Sequence, residues 1–215
     1  MNQSEIDRLI ESKVSLRKPT GPVRRFGHYD VEFPIGIVIN GKRRNHRAYS
    51  TWNNMLQRCY APSTKRLARN YTGCTVANEW LYFSKFLTFW KANYREGYAL
   101  DKDLLHPGNK NYSPEHCVFI PQDLNNFVVD HAYARGDFPQ GVYWNTPRGK
   151  FQARININGK KRHLGYFDDP QIAHLAWHTA KIQLAMQWKQ KCDLIHPGLY
   201  AGLISKVQSM LSAFY

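Results

Sequence analysis

Apolar and polar residues alternate through "FPIGIVINGKRRNHRAY" (33–49) on both sides of Asn40-Gly41. That dipeptide is a strong hairpin signal, because both central residues of the tight turn need positive φ. A basic β-hairpin is expected there. The period then changes. Trp52, Met55, Leu56 and Cys59 fall at helical spacing behind Ser50 as N-cap, and Pro62 ends the run. In "SKFLTFWKANYREG" (84–97), with Phe83 just ahead of it, Phe83, Phe86, Leu87 and Trp90 form a second helical stripe that stops before Gly97. Both read as core helices.

Periodicity is lost over 127–140, which carries Gly136 and Pro139, and a domain boundary is expected there. Beyond it, three strands are punctuated by Pro147-Arg148-Gly149 and Asn158-Gly159. Asp169 and Pro170 then cap a helix carrying Ile172, Leu175, Ala176, Ile182 and Leu184. The tail places Leu199, Leu203, Ile204, Val207, Met210, Leu211 and Phe214 at helical spacing. It is expected to pack back on a domain, onto a second copy as a homodimer, or onto a protein partner. The fold class is α+β. The expected divisions are an N-terminal segment with the hairpin (1–47), a ββα module with flanking helices (48–130), a three-stranded antiparallel sheet on one helix (138–190), and an amphipathic helix (196–215).

The chain has 30 Lys and Arg against 16 Asp and Glu, a formal +14 spread along its 215 residues. A polyanion is the expected partner, nucleic acid first. No apolar run approaches the roughly 18 residues of a membrane span, and the polar start lacks a secretory pattern. No membrane association is expected. Cys59, Cys74, Cys117 and Cys192 lie far apart with no Cys-x-x-Cys pair, which suits free thiols in a cytoplasm.

Strand alternation puts Phe151, Ala153, Ile155 and Ile157 on one face and Gln152, Arg154 and Asn156 on the other. The apolar face should meet the helix. The other, extended by Lys161 and His163 and flanked by Tyr143, Lys150 and Lys160, is polar and cationic, 138–167 holds no Asp or Glu, and Arg162 is expected to contact DNA as well. Arg reads guanine and Asn or Gln reads adenine in the major groove of double-stranded DNA, while Lys binds phosphate. Arg43 and Arg44 of the first hairpin are expected to add DNA contacts. Gly141-Val142, Phe151-Gln152-Ala153, Leu164-Gly165-Tyr166-Phe167 and Ala173 to Ala176 resemble the Apetala-type, ethylene-response-factor-like domain. The resemblance implies three antiparallel strands backed by one helix, with DNA contact through the strands. Ile172-Ala173-His174 stands where the family's helix has Glu-Ala-Ala, and Gln140, Tyr143 and Asn156 stand at family Arg positions, so base preference does not transfer.

The stretch "LDKDLLHPGNKNYSPEHCVFIPQDLNN" (100–126) reads as two short strands and a helix start around Asp, His and Asn. With "YSTWNNMLQRCY" and "GCTVANEW" upstream, it resembles phage-encoded, HNH-like homing endonucleases, in which such a block often precedes an Apetala-type domain. That resemblance implies a DNA endonuclease or nickase of a bacterial host's cytoplasm, using Mg²⁺ or another divalent cation. Asp101, starting the first strand, fits the metal-side Asp. His116 stands at the orienting Asn position, Asn125 or Asn126, opening the helix, fits the helix ligand, and Asp101, His116 and Asn125 would hold the metal ion. Lys102 occupies the catalytic His position, so the motif is broken there. Asp103 reads as a second ligand or as the ion-pair partner of Lys102 or Lys110. His106 or His116 could replace the missing base. The alternative is a DNA-binding regulator or scaffold that uses both modules without catalysis.

Overall fold

The computed structural model describes residues 1–15, 20–129, 137–157 and 159–212. It divides into two compact units, Met1–Asp103 with Gly108–Phe119, and Leu104–Pro107 with Ile120–Tyr215. The division falls at 119/120 and not within 127–140; Gly136 and Asn158 lie outside the described residues. The reason is packing. Leu124 and Val128, assigned from sequence to the upstream module, are buried in the second unit.

The first unit opens with α1 (Gln3–Glu11), closed at its start by a capping box between Asn2 and Glu5. Strands β1 (Gly36–Ile39) and β2 (Lys42–Asn45) form the expected antiparallel hairpin, with Val38 opposite Arg43. Asn40 and Gly41 take φ of 49° and 73°, as the tight turn requires. Helix α2 (Arg47–Tyr60) begins a turn before the expected Ser50 cap. Its cap is His46, fully buried, whose Nδ1 accepts the Ala48 N–H at 3.2 Å while Nε2 donates to the Glu11 carboxylate at 3.0 Å. An imidazole can hold both bonds, which Ser50 could not supply.

Helices α3 (Lys65–Asn70) and α4 (Phe83–Asn93) follow, with the short strand β3 (Thr75–Val76) between them. The α4 stripe of Phe83, Phe86, Leu87 and Trp90 is buried with Trp52, Met55, Leu56 and Trp80, as its 3.6-residue period predicts. Asp30 caps α4 from afar, accepting the Ser84 N–H at 2.8 Å and its hydroxyl at 2.6 Å. Strand β4 (Tyr98–Asp101) pairs with β6 (Val118–Pro121), and β5 (Asn111–Tyr112) runs parallel to β3. Asp101 therefore ends a strand where the sequence reading had it start one.

In the second unit, α5 (Gln122–Val128) starts directly after Pro121, so Asn125 and Asn126 lie mid-helix and do not open it. Strands β7 (Val142–Asn145), β8 (Lys150–Ile157) and β9 (Lys160–Phe167) form the expected three-stranded antiparallel sheet, in the order β7-β8-β9. Asp169 caps α6 (Pro170–Met186), its carboxylate accepting the Gln171 and Ile172 N–H groups at 2.6 and 3.1 Å. Helices α7 (Lys189–Asp193) and α8 (Leu199–Ser212) complete the unit.

The buried face of α6 differs from expectation. Ile172 and Leu175 are about half exposed, while Ala173, His174, Trp177, His178, Lys181 and Ala185 are buried. Helix α6 packs on two neighbours, the sheet and α8. Ala173 joins Val142 and Ala153 beneath the sheet. His174 and His178 donate to the Met210 and Val207 carbonyls of α8 at 3.2 and 2.9 Å. Those bonds satisfy buried imidazoles that an apolar-stripe reading leaves out. Leu199, Leu203 and Val207 of α8 are fully buried, so the tail packs back on its own chain; Phe214 lies outside the described residues. Among the described residues no helix is long and apolar enough to cross a membrane.

Candidate nucleic-acid interface

The register of the sheet sorts its side chains. Tyr143 lies opposite Gln152, Asn145 opposite Lys150, Gln152 opposite Tyr166, Arg154 opposite His163, and Asn156 opposite Lys161, which gathers all of them on one face. Phe151, Ala153, Ile155 and Ile157 share the other, facing α6, as expected. Lys160 and Arg162, both expected to contact DNA, pair with Ile157 and Ile155 and so belong by register to the α6 side; both are exposed.

A shift of register between Ala153 and Arg154 leaves Leu164 without a partner on β8. This bulge inverts the alternation of β9 beyond it. Leu164 and Phe167 turn to the core and Tyr166 to the polar face. Gly165 takes φ of 147°, and a Cβ there would lie 2.9 Å from the Phe167 ring.

The polar face is built, not merely charged. The Arg154 guanidinium lies 4.0 Å from the Tyr143 ring centroid, and its Nε is buried without a hydrogen-bond partner among the described residues. Gln152 donates from Nε2 to His163 Nδ1 at 2.8 Å. The His163 ring packs 4.5 Å from that of Tyr166, over which Arg148 lies at 4.7 Å. Lys150 is paired with Asp168 at 3.0 Å, an exposed bridge worth about 0–1 kcal/mol and easily exchanged for another anion. Sequence reasoning missed Arg148 and Tyr166. The Pro147-Arg148-Gly149 turn could have pointed to the first; nothing local pointed to the second.

Arg43 and Arg44 are exposed on β2, where Arg43 Nε donates to Asn45 Oδ1 at 3.0 Å.

The Asp, His and Asn cluster is divided. Asp101, Lys102, Asp103 and His116 belong to the first unit, His106 and Asn125 to the second. Asp101 Oδ1 accepts the Asp103 N–H at 3.0 Å. Lys102 Nζ lies 3.0 Å from Asp103 Oδ2 and 3.1 Å from the Asn109 carbonyl, in a side chain only 11% exposed. Asn109 clamps the turn, donating to the Lys102 and Asn111 carbonyls at 2.6 and 2.7 Å. Burial works against the Lys102 charge, but the adjacent Asp103 carboxylate, with a weaker pull from Asp101, outweighs it and raises the amine above its ordinary value. An amine held in its charged form has no lone pair to take a proton, which works against the catalytic position given to Lys102.

His116 Nδ1 is 2.7 Å from the Ser113 hydroxyl, His106 is exposed in its loop, and Asn125 is half-buried on α5. The Asp101–Asp103 turn already commits its carboxylates to groups of the chain itself. One carboxylate oxygen of Asp101 caps the turn, and the Lys102 ammonium already sits where a cation would be drawn. Among the described residues no three His, Cys, Asp or Glu side chains gather as a ligand set. All four cysteines are free thiols, and burial pushes Cys59 and Cys117 up to about 12 and Cys192 up to about 11, away from reactivity.

Comparison with known proteins finds no matching family model, curated protein or solved structure.

Proposed function

We propose that the protein binds double-stranded DNA through the polar face of the β7–β8–β9 sheet and does not cleave it. The observation that carries the reading is Arg154, a cation stacked on Tyr143 whose buried Nε has no partner among the described residues. Orphaned buried donors are rare in folded proteins and call for a ligand or a function. Gln152 and Asn156 on the same face supply side-chain amides suited to adenine, beside an arginine suited to guanine. Lys161 and Arg148 frame them with phosphate-binding charge, and the formal +14 supplies the long-range attraction. The Lys102–Asp103 ion pair supports binding without hydrolysis, because it sets a cation where metal-dependent cleavage needs a base.

The reading is tested by selecting preferred duplexes from a random pool and measuring affinity for one of them. Arg154→Ala should weaken binding to the selected duplex by about 1–3 kcal/mol and relax preference at one position. Unchanged affinity and preference in a folded variant would count against the sheet as the reader.

A further inference from the structure

The first unit carries a feature that the sheet does not explain. Val23 and Gly27 exchange both main-chain hydrogen bonds, at 2.7 and 2.8 Å, and close a loop in which Arg24 and Arg25 take φ of 51° and 80°. Two consecutive non-glycine residues in the left-handed region are costly, and such cost collects where side chains must be presented in a set direction. The loop is anchored: a Cβ on Gly27 would come within 2.4 Å of Leu56 and 2.8 Å of Trp52, so the backbone lies directly on the core. Arg24 is oriented by its Nε donating to Asn53 Oδ1 at 3.0 Å. Beside the pair, Phe26 packs edge-on to Tyr60 at 4.7 Å and leaves 48% of its surface exposed.

The β1–β2 hairpin runs straight into α2, and Asn53 of that same helix holds Arg24, so both basic segments are carried by α2. Arg24, Arg25, Lys42, Arg43 and Arg44 are all exposed, and no carboxylate is within ion-pair distance of them among the described residues. Ordinary mixed-charge surfaces intersperse both signs.

We propose that Arg24, Arg25, Arg43 and Arg44 form a second DNA-binding surface, in the first unit, that takes the phosphate backbone of a duplex without reading its bases. The inference rests on the DNA-binding reading and adds to it a sequence-independent grip on a separate unit. Arginine suits phosphate because its planar fork can pair two oxygens at once.

The experiment follows affinity of the full chain for a labelled mixed-sequence duplex across a salt series. Arg24→Gly/Arg25→Gly removes both charges and relieves the left-handed strain together. It should keep a thermal midpoint no lower than the parent's, weaken binding, and make the slope of log affinity against log salt shallower by about 1–2. Arg43→Ala/Arg44→Ala should act the same way, and neither should alter base preference on the selected duplexes. Unchanged slopes in both variants, with Arg154→Ala still weakening binding, would overturn this surface and leave the sheet as reader. A parent protein with no affinity for duplex DNA would overturn both.

Discussion

The ammonium nitrogen of Lys181 lies 3.5 Å from the centroid of the Phe127 ring and donates to the Phe127 main-chain oxygen, with no carboxylate paired to it among the described residues. Burial alone lowers this amine to about 8. Below that pH it is charged in both folded and unfolded chains, and the cost of desolvating it is fully present. Between about 8 and the ordinary lysine value of about 10.4 the unfolded chain holds a proton that the folded one has released. This site therefore contributes a rise in stability with pH across that window. Lys181→Met should stabilise the fold at pH 7 by on the order of 2 kcal/mol and remove that share of the rise. Denaturant unfolding of parent and variant at pH 7 and pH 10 measures both.

Lys102 is a cation of the opposite kind, held by its partner. Lys102→Met leaves Asp103 half-buried without its counter-charge and the Asn109 carbonyl without its donor. A loss of about 1–3 kcal/mol is expected, read as a lower denaturant midpoint. Because its folded value is raised, the stability Lys102 contributes is fully present below about pH 10.4 and is lost only above it.

Supercoiled plasmid incubated with the protein and Mg²⁺ or Mn²⁺ should stay intact while salt-sensitive binding is retained. Nicking by the parent that Asp101→Ala abolishes would instead establish metal-dependent cleavage and sink the binding-only reading.

Gly165→Ala places a methyl 2.9 Å from the Phe167 ring at a φ of 147°. The bulge should open or shift, at a cost of about 1–3 kcal/mol. Since the bulge turns Tyr166 to the polar face, DNA affinity should fall in step with the melting temperature, measured on the same preparation.

His46→Ala removes the cap of α2 and the Glu11 bond together. A loss of about 1–2 kcal/mol is expected from the cap alone. His46→Asn should recover part of it by accepting the Ala48 N–H, and thermal melts of the two variants make the comparison.

Elements whose stabilising partners lie within a few residues were legible in the chain. Asn40-Gly41 specified its hairpin because the turn's dihedrals are a local matter. The Phe83-Phe86-Leu87-Trp90 stripe was legible because one helix face meets one core, and Asp169-Pro170 because a cap satisfies the N–H groups next to it. The polar sheet face up to His163 followed from alternation alone.

What the sequence could not specify depended on groups brought from elsewhere. Alternation carries no mark of the Leu164 bulge, so Tyr166 was lost from the polar face. Helix α6 is buried on two sides, and His174, His178 and Lys181 are accepted inside because carbonyls of α8 and α5 reach them. The charge of Lys102 is likewise set by Asp103 and by a carbonyl seven residues on. A buried polar group is tolerated only when a partner satisfies it, and which partner arrives is decided by the tertiary fold.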